Sequence, residues 1–204
     1  VKFTDGYWML RPGVRASYPA QVLDAAIAPD SMVVHAPGFP VRGRDELLRG
    51  PALTVAFGAP LPDVIRVTVT HFAGEDRSPD FPLADTGSGL PQISETDDEL
   101  TFTSGALTAR LAKAGAWSLD FRADGRRLTG SGTKAMAVVD TEAGEHYIRE
   151  QLDLGVDHFV YGLGERFGPL VKNGQTVDIW NADGGTASEQ AYKAVGDTVV
   201  VTLG

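Results

Sequence analysis

The chain has 204 residues, 43% hydrophobic and 22% charged, a mix that supports a packed core and argues against disorder. Eighteen basic residues against 27 acidic give a net charge of −9, which argues against nucleic acid and anionic membranes, both bound through Lys and Arg, and leaves a neutral partner such as a sugar open. With no cysteine there is no disulfide, thiol nucleophile or cysteine-held zinc, a composition suited to a reducing compartment.

The chain starts with "VKFTDGYWML", which lacks the charged head and apolar run of a signal peptide. No window approaches the roughly 18 apolar residues of a membrane span. The expectation is a cytoplasmic protein. Twenty-four glycines and 12 prolines punctuate the chain and favour short strands over long helices. In chain order, strands are expected at Tyr7–Arg11, Ser31–Ala36 and Ala52–Phe57. A short helix is expected near Arg44–Gly50. In "DVIRVTVTHF" (Asp63–Phe72), Ile65, Val67 and Val69 share one face while Arg66, Thr68 and Thr70 share the other, the period of a half-buried strand. Phe72–Gln92 is the region weakest in regular structure and reads as a long loop.

Further strands follow at Glu99–Thr103, at "ALTARLA" with Leu107, Ala109 and Leu111 on one side, and at "WSLDF" with Trp117, Leu119 and Phe121 inward and Ser118 and Asp120 outward. "ADG" at Ala123–Gly125 predicts a hairpin turn, because Asp-Gly takes positive φ readily. The last strands are expected at His146–Leu152, His158–Tyr161, Thr176–Trp180 and Thr198–Thr202, with a short helix near Ser188–Lys193. About eleven short strands and few helices predict an all-β fold, a two-sheet antiparallel β-sandwich over residues 1–204 as a single domain.

Two segments carry the chemistry. "VYGLGERFG" (Val160–Gly168) has Gly162 and Gly164 at the first two positions of a dinucleotide loop, but Phe167 stands at the third and no helix pattern follows. A structural crossing, where glycine allows positive φ, accounts for it better. Glu165 and Arg166 are neighbours, so on an extended strand they face opposite ways and seek separate partners. The histidines His35, His71, His146 and His158 show no ligand spacing, so no metal is expected, nor any cofactor. "GSG" at Gly87–Gly89 and Gly130–Gly132 lies in turn-like sequence rather than in a nucleophile elbow. The acids of Thr96–Glu99 read as a solvated edge, and nothing marks a facing pair of carboxylates.

In "TVDIWNADGGT" (Thr176–Thr186), Trp180 shares a face with Thr176 and Asp178 and leads into Asn181 and Asp183. An indole covers the apolar face of a pyranose while a carboxylate and an amide take its hydroxyls. The alternative is a Trp under a loop followed by an Asp-Gly turn.

The run "LDLGVDHFVYGLGERFGPLVKNGQTVDIWNADGGTASEQAYK" (Leu152–Lys193) closely resembles the N-terminal domain of glycoside hydrolase family 31, nearest the bacterial α-xylosidases and α-glucosidases. Lys2–Gly13, Pro51–Phe72 and Gly115–Ser131 resemble that group as well. The resemblance implies a sandwich related to galactose mutarotase, packed on a catalytic (β/α)₈ barrel that carries both reactive aspartates. A barrel takes about 250 residues, so it lies outside this chain, and no residue here is expected to be catalytic. The resemblance also implies a loop sent to the barrel mouth, where Asp183, flanked by Trp180, Asn181 and Thr186, meets the +1 sugar of an α-linked oligosaccharide. Gly162, Gly164, Glu165, Arg166 and Phe167 then form a crossing that faces the barrel. Ala182 stands where the family often has Arg, and Ala194–Gly204 does not align with the family, although "DTVVVTL" reads as a final strand. Without the barrel an exposed apolar patch and self-association are expected. The alternatives are a free-standing carbohydrate-binding module, an oligomerisation domain, and, on fold analogy alone, a mutarotase.

Overall fold

Side-chain alternation becomes two-faced strands across much of the computed structural model, which describes residues 3–5, 9–46, 49–71, 90–163, 168–179 and 199–202. Among the described residues, the strands are β1 (Thr4–Asp5), β2 (Met9–Leu10), β3 (Val14–Ser17), β4 (Asp24–Ile27), β5 (Ser31–Pro37), β6 (Ala52–Leu61), β7 (Val64–His71) and β8 (Gln92–Glu95). They continue with β9 (Glu99–Ser104), β10 (Leu107–Ala112), β11 (Leu119–Ala123), β12 (Arg126–Ser131), β13 (Ala137–Thr141), β14 (His146–Arg149), β15 (Thr176–Ile179) and β16 (Val199–Thr202). All pairings are antiparallel. The helix expected near Arg44–Gly50 is a 3₁₀ turn at Arg44–Glu46, and the one expected near Ser188–Lys193 lies outside the described residues. The residues fall into two units, Gly13–Asp153 and a second made of Val1–Pro12 with Leu154–Gly204.

The Gly13–Asp153 unit holds three sheets. Their strand orders are β4-β5-β6-β7, β12-β11-β10-β9-β8 and β14-β13-β3. Register explains the core. Met32, Val34 and Ala36 of β5 stand opposite Phe57, Val55 and Leu53 of β6. Leu100 and Phe102 of β9 stand opposite Leu111 and Ala109 of β10. These residues are buried together with Trp117, Leu119, Met136 and Val138 in one cluster. Phe57 and Phe102, from different sheets, meet with ring centroids 6.1 Å apart. The unit is therefore a sandwich closed by inward rows, each large side chain contributing about 1.5–3 kcal/mol by leaving water. On β7, Ile65, Val67 and Val69 pack against that cluster while Arg66, Thr68 and Thr70 are exposed, as the alternation requires.

Turns lock the layers. Asp124 (φ 51°) and Gly125 (φ 72°) form the expected hairpin between β11 and β12. Asp63, in the β6–β7 turn, accepts the Ala106 N–H at 2.6 Å, and Ser104 Oγ donates to Leu61 O at 3.0 Å, so two hairpin tips are tied together. Gly105 sits between them with φ 57°, where a Cβ would lie 2.1 Å from Asp63 Oδ1. Arg127 spans Asp120 (2.7 Å) and Asp153 (2.5 Å), two carboxylates that hold its guanidinium above the ordinary arginine range. Exposed pairs such as Arg110–Glu99 and Lys113–Glu95 add at most about 1 kcal/mol each.

Glu150, an exposed residue just after β14, has its carboxyl pushed above the ordinary range chiefly by lost hydration, an effect that its exposure keeps small. In the unfolded chain the same carboxyl ionises near pH 4.3. Between that pH and the raised folded value, the folded state binds more protons, so stability falls as pH rises through the window. Glu150→Gln is expected to raise the melting temperature at pH 7 and leave it unchanged at pH 3, as thermal melts at the two pH values will show.

Candidate functional site

The second unit contains the segments singled out by sequence. Chain entry is set by a turn in which the His158 N–H donates to Gly155 O (3.0 Å) and the Gly155 N–H donates to His158 Nδ1 (3.1 Å). His158–Tyr161 is not a strand, contrary to expectation. The reason is local. Its backbone is bound mainly by one side chain: the Asn173 amide accepts the Val160 N–H at 2.9 Å and donates to His158 O at 2.9 Å. One backbone bond, Lys172 N–H to Val160 O at 2.8 Å, lies beside it. Together these tie residues 158–160 to residues 172–173.

On the far side, the Gln175 N–H donates to Lys172 O at 3.2 Å around Asn173 and Gly174. Gly174 has φ 74° and Asn173 does not have positive φ, the pattern of a type II turn with glycine at its third position. Lys172 is buried, and its ammonium donates to Pro169 O. The Gln175 amide donates to Val171 O at 3.0 Å. Out of this turn runs β15, which pairs with β16 from Thr176↔Thr202 to Ile179↔Val199. The final strand expected from "DTVVVTL" is therefore present as β16.

Inside the loop, Gly162 (φ 92°) and Leu163 (φ 68°) are both left-handed, and Gly168 has φ 117°. A Cβ at Gly162 would meet nothing, so glycine is required there by backbone conformation alone. Leu163 bears the strain of a β-carbon in that region, about 1–2 kcal/mol. Among the described residues no helix follows Gly168 to offer a phosphate its N-terminus. Gly164, Glu165, Arg166 and Phe167 lie outside the described residues, as do Trp180, Asn181, Asp183 and Thr186. β15 ends at Ile179, the residue before Trp180.

The described part of this segment exposes large apolar side chains in sequence: Leu154, Val156, Phe159 (63% exposed), Tyr161 and Leu170 (76%). Among the described residues no three His, Asp or Glu side chains gather to hold a metal ion. No described helix is long and apolar enough to cross a membrane. Sequence reasoning passed over Asn173 and Lys172. The Asn-Gly dipeptide at 173–174 was the available signal, since that pair favours turns.

Residues 54–196 match the family described as "Glycosyl hydrolase 31 N-terminal galactose mutarotase-like domain". The alpha-xylosidase XylQ of Lactiplantibacillus pentosus is 36% identical over 198 residues, covering 96% of this chain and 26% of its own length. An alpha-xylosidase of Emericella nidulans is 36% identical over 217 residues, covering 96% of this chain and 28% of its own. The chain thus spans about a quarter of the length of these curated relatives. The solved GH31 dextranase of Flavobacterium johnsoniae, complexed with glucose, superposes with a TM-score of 0.64 at 17% identity over 90% of this chain and 21% of that one, which speaks to the fold.

Proposed function

Because this chain belongs to the family of glycosyl hydrolase 31 N-terminal galactose mutarotase-like domains, we propose that it is the non-catalytic N-terminal domain of a retaining α-glycosidase acting on xylose- or glucose-containing α-linked oligosaccharides. Both units belong to that one domain in this reading. The catalytic (β/α)₈ barrel is its partner, and the reacting carboxylates are the barrel's.

The observation that carries the reading is the exposed row from Leu154 to Leu170 in the segment that resembles the family most. Water-exposed Phe159, Tyr161 and Leu170 so close in sequence suit a surface that another body covers. Relatives some four times as long supply such a body. Glu165, Arg166 and Phe167 then meet or anchor against the barrel. Asp183, with Trp180, Asn181 and Thr186, reaches the +1 sugar. Ala182 offers no cation there, so the contact rests on the carboxylate, the amide and the indole. The cysteine-free composition supports a cytoplasmic location.

The test is calorimetry of the chain with xylose, glucose and isoprimeverose, with a parallel assay on p-nitrophenyl α-xyloside. The expected results are no binding at millimolar sugar and no turnover above background. Sugar binding abolished by Asp183→Ala would make the chain a free-standing binding module instead. Turnover would overturn the non-catalytic assignment.

A further inference from the structure

We propose that Asn173 is a positioning residue: its side-chain amide ties the His158–Val160 segment to the turn that leads into strand β15. The inference rests on the reading above for its functional consequence, though not for its geometry.

A primary amide presents one acceptor and two donors, like a short piece of backbone. Asn173 uses both kinds on one facing segment, accepting from Val160 N–H and donating to His158 O, each at 2.9 Å. The reversed amide would set donor against donor and acceptor against acceptor, so a single orientation fits. The Lys172 N–H to Val160 O bond then satisfies both backbone groups of Val160 from residues 172 and 173. The bonds span 13 and 15 residues along the chain, so they fix the loop's two ends rather than a local turn. Asn173 also opens the turn whose Gly174 has φ 74°, and β15 starts at Thr176. The next residues after β15 are Trp180 to Asp183. One side chain therefore ties residues 158–160 to the turn that enters β15, the strand that precedes the proposed sugar-contacting residues. In this role Asn173 touches no substrate; it acts through β15.

Two variants test this. Asn173→Ala removes acceptor and donors. Asn173→Asp keeps the acceptor for Val160 N–H and loses the donor for His158 O. In the chain itself, amide exchange of Val160 is expected to speed up at least about tenfold in Asn173→Ala and to change little in Asn173→Asp, with Val55 of the sandwich core unaffected in both. Unchanged Val160 exchange in Asn173→Ala overturns the proposal.

The chain is then fused to the remainder of the Lactiplantibacillus pentosus relative. Both variants are expected to raise KM for isoprimeverose about tenfold while leaving kcat and the kinetics on α-xylosyl fluoride, which leaves the +1 position empty, within twofold. Equal losses on both substrates, or none, overturn the proposal. If Asp183→Ala in the same fusion also leaves isoprimeverose unaffected, the +1 reading itself fails and this inference falls with it. A response to Asp183→Ala without one to Asn173→Ala overturns this inference alone.

Discussion

Trp117→Ala is expected to lower the stability of the chain by about 3–5 kcal/mol, with the melting temperature falling by roughly 6–20 °C. Trp117 is 1% exposed and belongs to the same buried cluster as Phe57, Phe102, Leu111 and Leu119. Removing the indole deletes the largest fully buried side chain among the described residues and leaves a cavity that strands tied by register cannot collapse to fill. Its Nε1 has no hydrogen-bond partner among the described residues. The indole is therefore held by packing rather than by a polar bond. Trp117→Phe should then cost much less, about 1–2 kcal/mol, because it loses volume and no hydrogen bond. Urea unfolding of both variants checks the pair. A Phe variant as damaged as the Ala variant would mean that Nε1 holds a bond after all.

The fold was legible wherever one sheet face meets water. β5, β6, β7, β9 and β10 alternate because each has a core side and a solvent side, and period two reports that directly. Strands without alternation were missed. β13 has Ala137, Val138 and Val139 all buried, preceded by buried Ala135 and Met136, so its sequence is a continuous apolar run that periodicity cannot classify. β4 is "DAAI" and β8 is "QISE", with too few large apolar residues to mark a face. β12, at the edge of its sheet, carries Arg126 and Arg127 exposed and a glycine at Gly130. The opposite error was made at His158–Tyr161, whose composition suits a strand but whose backbone is bound by Asn173 instead. Propensity describes how a residue fits a pleated surface. It does not say whether a neighbouring backbone will arrive to pair with it.

The site was legible in a different way. Gly162 was singled out from composition, and its φ of 92° is one that only glycine takes without strain. The turn at Gly174 carried a comparable signal in its Asn-Gly pair, which sequence reasoning passed over. Asn173 escaped notice because its role depends on a segment 13 residues away, and nothing in local spacing points to that partner. Trp180 and Asp183 were read from chemistry and from family resemblance, and β15 brings the chain to the residue before them. The second large effect is expected there. A hydrogen bond from a sugar hydroxyl to a carboxylate contributes about 1.5–3 kcal/mol, so losing the Asp183 side chain should weaken transition-state binding of a +1 sugar by about 10–100-fold. A substrate without a +1 sugar has nothing there to lose.

The direct measurement is kcat/KM for isoprimeverose and for α-xylosyl fluoride in the barrel fusion, with and without Asp183→Ala. The account predicts a loss of about 10–100-fold on the disaccharide and a change within twofold on the fluoride. Equal losses on both substrates, or no loss on either, would contradict it.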